Sequence, residues 1–161
     1  MNEKAYALAK ELYESLKEKG YTVATAESCT GGLIGATLTK VPGMSECYGF
    51  GVVTYANEAK EKLLGVKHET LETLGAVSSE TACQMAEGAL NLSGADISVA
   101  VTGIAGPGGG TKEKPVGLVY IGIGIKGKSN VAYKNIFKGS RDDVRIQTVC
   151  KALELLKEAV V

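Results

Sequence analysis

The chain has 161 residues, of which 45% are hydrophobic and 22% are charged, and its 18 basic residues balance its 18 acidic residues. This length and composition are typical of a single globular domain covering residues 1–161, rather than a disordered or fibrous chain. The balanced charge provides no general attraction to the phosphate backbone of nucleic acid, so no nucleic-acid partner is expected.

Membrane association and metal binding are not expected either. The longest apolar stretches, such as residues 116–125, are interrupted by glycines and are too short to cross a bilayer. The first ten residues carry charges and lack an apolar segment, so no signal peptide is expected. The four cysteines have no CxxC spacing and His68 is the single histidine, which favours reduced thiols in a cytoplasmic protein and argues against a zinc site. We expect no metal and no organic cofactor.

The first elements are predicted to be a helix, a strand and a helix. Apolar residues at helical spacing from Ala5 to Leu16, followed by Gly20, predict an amphipathic helix with a glycine C-cap. Residues 22–26 predict a buried strand. Residues 30–40 predict a second helix, and the proline and glycine that follow set its end.

The middle of the chain predicts two further strands. β-Branched and aromatic residues predict a strand over residues 48–55, followed by a short helical turn over residues 57–64 that Gly65 ends. A helix over residues 78–92 can be capped by a serine, and residues 97–101 then predict a strand.

The C-terminal part combines a glycine-rich loop, a hairpin and a helix. The loop covers residues 102–111, strands are predicted at residues 117–125 and 131–137 with a tight turn between them, and the last helix begins near Arg141. Helices between buried strands predict an α/β fold, a three-layer α/β/α sandwich. The hairpin requires an antiparallel pair, so the predicted sheet is mixed and mostly parallel.

Ser28 lies where the first strand passes into the second helix. Such a junction exposes a side chain at the edge of the sheet, and backbone N–H groups at the helix start, near Thr30, Gly31 and Gly32, could hold an oxyanion or a phosphate. The alternative is that Ser28 is only the N-cap of the helix.

Cys29 is a second candidate nucleophile, since a thiol at a helix N-terminus can have a lowered pKa. Cysteine hydrolases also use a histidine, and His68 lies in a charged stretch beside Lys67 and Glu69. A packing role is therefore favoured for Cys29.

Lys60 is the candidate base for Ser28. It follows Tyr55 and Asn57 after the second strand. Lysine replaces histidine as the base in some serine hydrolases, and in this chain Tyr55 could orient Lys60 or pass a proton. Taken alone, Lys60 also fits a solvated charge on a helix surface, as Lys62 is expected to be.

The glycine-rich loop follows the end of a strand, where ligands of open α/β sheets bind, and its glycines let backbone amides approach a ligand. It lacks the Gly-Lys-Ser/Thr ending of a Walker A loop, so a kinase using nucleoside triphosphates is disfavoured, and a flexible surface loop is the alternative. Gly122, Gly124 and Gly127 match GxGxxG, but they span a strand and a turn, so a dinucleotide site is rejected.

Arg141 and Arg145 are four residues apart at the start of the last helix. They can share one face and bind a phosphate through forked hydrogen bonds. The alternative is a solvated face on which they pair with Asp142 or Asp143.

Four segments together resemble the CinA C-terminal domain family, namely residues 25–32, 53–60, 75–78 and the loop from residue 102 through 117. The likeness covers nearly the whole chain in the same order. It implies an α/β/α fold and hydrolysis of the carboxamide of nicotinamide mononucleotide to nicotinic acid mononucleotide and ammonia, in pyridine-nucleotide salvage. It also implies that Ser28 is the nucleophile, Lys60 the base, Tyr55 a supporting group and Arg145 a contact near the phosphate.

The expected partner is therefore a small nucleotide, and a homodimer is left open. Two alternatives remain: a non-catalytic nucleotide-binding or regulatory module, and an amidase acting on a different carboxamide. Many relatives have a separate N-terminal domain, and Ser140 stands where relatives often have aspartate. The predicted substrate-binding residues are Thr30, Gly31, Gly32, Asn57, Thr102, Gly103, Gly106, Gly108, Gly109, Arg141 and Arg145.

Overall fold

A five-stranded mixed sheet forms the centre of the protein, whose computed structural model describes residues 2–161. Its strands are β1 (Val23–Glu27), β2 (Tyr48–Val53), β3 (Ile97–Gly103), β4 (Leu118–Ile125) and β5 (Val131–Ile136), in the spatial order β2-β1-β3-β4-β5. Strand β1 pairs in parallel with β2 and β3, whereas β4 is antiparallel to both β3 and β5. The predicted mixed sheet is confirmed: four strands share one direction and β4 opposes them.

Helices cover both faces of this sheet. They are α1 (Glu3–Lys19), α2 (Leu33–Leu38), α3 (Asn57–Leu64), α4 (His68–Thr73), α5 (Ser79–Ser93) and α6 (Arg141–Val160). Helices α1, α2 and α6 pack together on one face, and α5 packs on the other face together with α3 and α4. The predicted α/β/α sandwich is thus confirmed. Within residues 2–161 no helix has both the length and the apolar character needed to span a bilayer.

The two faces bury different kinds of side chain. The α1 and α6 side contains large residues such as Leu12 and Leu153, whereas the α5 side is rich in alanine. A Cβ added at Gly122 of β4 would overlap the Ala82 carbonyl of α5, and one added at Gly88 of α5 would overlap the Leu64 carbonyl of α3. Gly122 therefore serves close packing, and α3 lies directly against α5.

Apart from shifts of one or two residues at the ends of elements, the observed elements differ from the predicted ones in two places. Helix α2 begins at Leu33 instead of residue 30, because Gly31 and Gly32 have φ angles of 58° and 100°, in the left-handed region. Helix α4 was not predicted from the charged stretch around His68. This helix has only six residues, too few for a helical period to be visible in the sequence.

Strand β1 is the point where the chain changes direction across the sheet. From β1 the chain passes first to β2 on one side, and later to β3 on the other side. The carboxyl ends of these three parallel strands meet at one edge, and ligands of open α/β sheets bind in the crevice at such a switch point. Ser28 directly follows β1, Thr54 directly follows β2, and the glycine-rich loop follows β3.

Candidate active site

Ser28 and Lys60 meet at the carboxyl edge of the sheet. The Ser28 backbone N–H donates to the Val101 carbonyl at 3.1 Å, which continues the pairing of β1 with β3 by one residue. Lys60, on α3, is 1% exposed, and its Nζ lies 3.1 Å from the Ser28 Oγ. The structure therefore brings together the two residues predicted as nucleophile and base, and it excludes the solvated alternative for Lys60.

The surroundings of the Lys60 amine favour its neutral form. Its Nζ donates to the Thr54 carbonyl at 2.8 Å and to the Tyr55 carbonyl at 3.4 Å, and within residues 2–161 it forms no ion pair with a carboxylate. Burial lowers the pKa of Lys60 from its ordinary value, because removing water disfavours the ammonium form. In the ammonium form the third N–H donates to the Ser28 Oγ. In the neutral form two N–H groups remain for the two carbonyls, and the lone pair faces the Ser28 hydroxyl. This is the arrangement that a general base requires.

The Glu27 carboxylate, which was not among the predicted site residues, occupies the start of helix α2. It is 2% exposed and accepts hydrogen bonds from the Thr30 Oγ1 at 2.5 Å and from the amides of Ile34 at 2.8 Å and Gly35 at 3.0 Å. A carboxylate is stabilised there by the positive end of the helix. These two amides are therefore not available to a ligand. Of the predicted donors near Thr30, Gly31 and Gly32, the Gly31 amide donates to the Ser28 carbonyl at 3.0 Å. The sequence signal that could have identified Glu27 is its position as a charged residue at the end of a buried strand.

Cys29 has the properties of a core residue. Its thiol is 6% exposed and packs in the larger core cluster, and burial raises its pKa to about 11. The thiolate is therefore scarce at neutral pH. His68 lies away from it, paired with Glu61 and Glu72 on the surface. Both observations agree with the packing role favoured from the sequence.

A cleft of about 280 Å³ opens above the Ser28–Lys60 pair. Ten of the predicted residues line it: Ser28, Tyr55, Asn57, Lys60, Thr102, Gly103, Gly106, Gly108, Gly109 and Arg141. Five further residues that were not predicted for the site also line it: Cys29, Ala76, Val77, Ile104 and Ala105. The lining contains the Arg141 guanidinium and, within residues 2–161, no carboxylate, so the cleft suits an anionic ligand.

Arg141 connects two parts of the cleft rim. Its Nη1 donates to the Gly106 carbonyl at 2.7 Å and its Nη2 donates to the Tyr55 hydroxyl at 3.1 Å. The Tyr55 side chain is 64% exposed and its hydroxyl contacts Arg141, so the predicted contact of this side chain with Lys60 is wrong. The backbone carbonyl of Tyr55 orients Lys60 instead.

Arg145 lies outside the cleft lining, as do Thr30, Gly31 and Gly32. Its Nη2 donates to the Thr30 carbonyl at 2.9 Å, and its Nη1 lies 3.8 Å from the Asp142 carboxylate. Arg145 therefore braces the turn that follows Ser28, and the structure separates the two arginines that share a predicted phosphate-binding role.

Ser140 fixes the start of helix α6. Its hydroxyl accepts from the Asp143 amide at 3.2 Å, while its own amide donates to the Asp143 carboxylate at 2.8 Å, which forms a capping box. Asp143 is thereby engaged in the cap, and of the two neighbouring aspartates only Asp142 pairs with an arginine. The cap positions Arg141 as the first residue of the helix.

Comparison with known proteins identifies the family of this fold and site. The model of the CinA C-terminal domain matches residues 5–160. The chain belongs to the CinA C-terminal domain family. A CinA-like protein of Endomicrobium trichonymphae is 56% identical over 146 residues, which are 91% of this chain and 34% of that protein. A Clostridium tetani relative named for competence-damage induction is 55% identical over the same length, 36% of its own. The chain thus spans about a third of these curated relatives.

Solved CinA structures share the whole architecture. The competence/damage inducible protein CihA from Agrobacterium tumefaciens superposes with a TM-score of 0.95 at 46% identity, covering 99% of this chain and 97% of that one. A CinA superfamily protein from Klebsiella pneumoniae gives a TM-score of 0.93 at 36% identity, covering 99% and 98% of the two chains. The resemblance drawn from the four sequence segments is confirmed.

Proposed function

We propose that this CinA domain is an amidohydrolase that converts nicotinamide mononucleotide to nicotinic acid mononucleotide and ammonia, with Ser28 as nucleophile and Lys60 as base. The observation that carries the proposal is the buried Lys60 amine 3.1 Å from the Ser28 hydroxyl, with two carbonyls matching its two N–H groups. The likeness to the CinA family supplies the substrate.

The first half of the reaction is acylation of Ser28. Neutral Lys60 takes the hydroxyl proton as the Ser28 Oγ bonds to the amide carbon, and a tetrahedral oxyanion forms. The Cys29 amide is the candidate donor to this oxyanion, since it follows the nucleophile and pairs with no oxygen acceptor within residues 2–161. Lys60 then gives its proton to the departing nitrogen, which leaves as ammonia, and an ester links the acyl group to Ser28.

The second half is hydrolysis of this ester. Water attacks the acyl carbon and passes a proton to Lys60, and the new tetrahedral intermediate collapses to the free acid as Ser28 recovers its proton from Lys60. Water and the two side chains account for every proton, so the proposed reaction needs no metal and no organic cofactor.

The lining of the cleft suits the other parts of this substrate. Arg141 uses two hydrogen bonds on the protein, and a guanidinium has five N–H donors, so it retains donors for a phosphate. Ala76 and Val77 provide an apolar wall against which a pyridine ring can pack. Amides of the glycine loop add donors that no side chain blocks.

Release of ammonia from nicotinamide mononucleotide by the purified protein tests the proposal, with Ser28→Ala as the control for a contaminating amidase. A panel containing nicotinamide riboside, nicotinamide and unrelated carboxamides tests the substrate. Absence of ammonia from every amide, together with binding of the nucleotide, would establish a non-catalytic module. Faster turnover of another carboxamide would establish a different amidase with the same mechanism.

A further inference from the structure

The segment between helices α4 and α5 is held by an unusual set of bonds. Three successive carbonyls each accept a hydrogen bond from the side chain of a different element. The Leu74 carbonyl accepts from the Lys114 Nζ at 2.5 Å, the Gly75 carbonyl from the Thr81 Oγ1 at 2.8 Å, and the Ala76 carbonyl from the Thr102 Oγ1 at 2.7 Å. Together these bonds fix the backbone that leads to the apolar wall of the cleft.

Lys114 differs from the other two donors, Thr81 and Thr102, in the part of the fold on which it lies. The two threonines lie on α5 and β3, which are parts of the rigid sandwich, whereas Lys114 lies on the loop between β3 and β4 that carries Gly106, Gly108 and Gly109. The Lys114 bond therefore ties the glycine loop to the connection that carries the apolar wall, and both line the cleft.

The local structure around Lys114 is built for this contact. The Thr111 amide donates to the Lys114 carbonyl at 2.7 Å and the Lys114 amide donates to the Thr111 Oγ1 at 3.0 Å, so a tight turn fixes the lysine backbone. Gly75 has a φ angle of 82°, in the left-handed region that favours glycine, and a Cβ there would lie 3.1 Å from the Lys114 Nζ. Lys114 is partly buried, whereas Lys112 is exposed.

We propose that Lys114 is a positioning residue that holds the Ala76–Val77 wall at a set distance from the glycine loop and thereby sets the affinity of the cleft for its substrate. It does not touch the Ser28–Lys60 pair, which is held by separate bonds to Thr54, Tyr55 and Val101. Its loss should therefore weaken substrate binding and leave the chemical step nearly unchanged. The kinetic part of this inference depends on the proposed amidohydrolase function.

The test compares three variants of the full chain. Lys114→Met keeps the length of the side chain and removes the donor, Lys114→Arg keeps a cationic donor, and Lys112→Met is the matched control on the same loop. We expect Lys114→Met to raise the KM for nicotinamide mononucleotide about three- to tenfold, as loss of one hydrogen bond predicts, with kcat within about twofold of the parent. Lys114→Arg should restore most of the affinity, and Lys112→Met should match the parent.

Amide hydrogen exchange gives a second readout that does not depend on activity. In Lys114→Met we expect faster exchange in peptides covering residues 74–78 and 104–117, with unchanged exchange around Ser28 and Lys60. If the parent shows no amidase activity, the proposed function fails, while exchange still decides whether Lys114 ties the two walls.

Three results would overturn the inference. The first is unchanged KM and unchanged exchange in Lys114→Met. The second is a loss of kcat equal to the loss of affinity, which would place Lys114 in the chemical step. The third is failure of Lys114→Arg to restore affinity while exchange returns to normal, since the bond would then have no bearing on binding.

Discussion

The floor and the rim of the cleft are built in different ways. On the floor, Ser28, Lys60 and Glu27 are buried, and each bonds to backbone groups: Ser28 to Val101 of β3, Lys60 to Thr54 after β2, and Glu27 to amides of α2. On the rim, Tyr55 and Arg141 are held mainly by each other and by one loop carbonyl, and the amides of residues 108–110 donate to no acceptor within residues 2–161. A rigid floor suits precise chemistry, whereas an open rim suits ligand binding. Floor variants should therefore change kcat, and rim variants should change KM.

The largest expected effect is that of Ser28→Ala. Removal of the nucleophile should lower kcat about 10⁴-fold or more, with the circular dichroism spectrum and melting temperature close to those of the parent. Cys29→Ala serves as the comparison, because its protonated thiol is a packing group and its loss should cost mainly stability. If Ser28→Ala retained parental turnover, the serine would have no part in catalysis.

Lys60→Arg should be the next most damaging change. Arginine stays protonated and cannot accept a proton, so kcat should fall about 10²- to 10⁴-fold. In the parent, kcat should rise with pH through one ionisation lying below 10.5, since burial lowers the pKa of Lys60, and this ionisation should be absent from the variant. A variant with the parental rate and pH profile would reduce Lys60 to a structural residue.

The same pKa predicts a stability effect that can be measured without substrate. Because folding lowers the pKa of Lys60, the unfolded chain binds more protons than the folded chain between the folded value and the ordinary 10.5. Lys60 should therefore make the free energy of unfolding rise with pH across that window. Denaturant titrations at several pH values give the slope of the free energy of unfolding against pH, and Lys60→Met should lack the contribution of Lys60 to this slope. An identical slope in the variant would mean that Lys60 keeps its ordinary pKa when buried.

Glu27→Gln tests whether the floor needs its buried carboxylate. The amide nitrogen of glutamine cannot accept a hydrogen bond from the Ile34 or Gly35 amide, so the turn between Ser28 and α2 should shift. We expect the free energy of unfolding to fall by about 1.5–3 kcal/mol. We also expect kcat to fall about ten- to a hundredfold through misplacement of Ser28. Parental kcat in a destabilised variant would show that Glu27 serves folding alone.

The smallest effects are expected from the two arginines of α6, Arg141 on the rim and Arg145 outside the cleft. Arg141→Ala should raise the KM for the nucleotide about tenfold and have much less effect on the riboside, since Arg141 lines the cleft. Arg145→Ala should change the kinetic constants for the nucleotide and for the riboside equally, because Arg145 braces the Thr30 carbonyl and does not line the cleft. If Arg145→Ala alone reduced discrimination between nucleotide and riboside, the phosphate would lie beyond the cleft.

The order of the elements and the edge that carries the site were predictable from local sequence. Alternating strands and helices, closed by a hairpin, predict a mixed sheet, and the four segments shared with the CinA family place Ser28 at the end of β1. Local patterns suffice here because helix and strand periodicity, glycine stops and turn residues act over a few neighbouring residues. The scarcity of histidine also pointed correctly to Lys60 as the partner of Ser28.

Tertiary structure decided which of the site side chains are buried and which residues they contact. Helical spacing makes Lys60 a surface residue as readily as a buried one, and only the packing of α3 against α5 buries it beside two carbonyls 5 and 6 residues earlier in the chain. Arg141 and Arg145 share a helix and a predicted role, yet their different heights along it bring one to the cleft and the other to the Thr30 carbonyl. The tie between Lys114 and Leu74 spans 40 residues. Contacts of this kind depend on how distant elements pack, which no local pattern encodes.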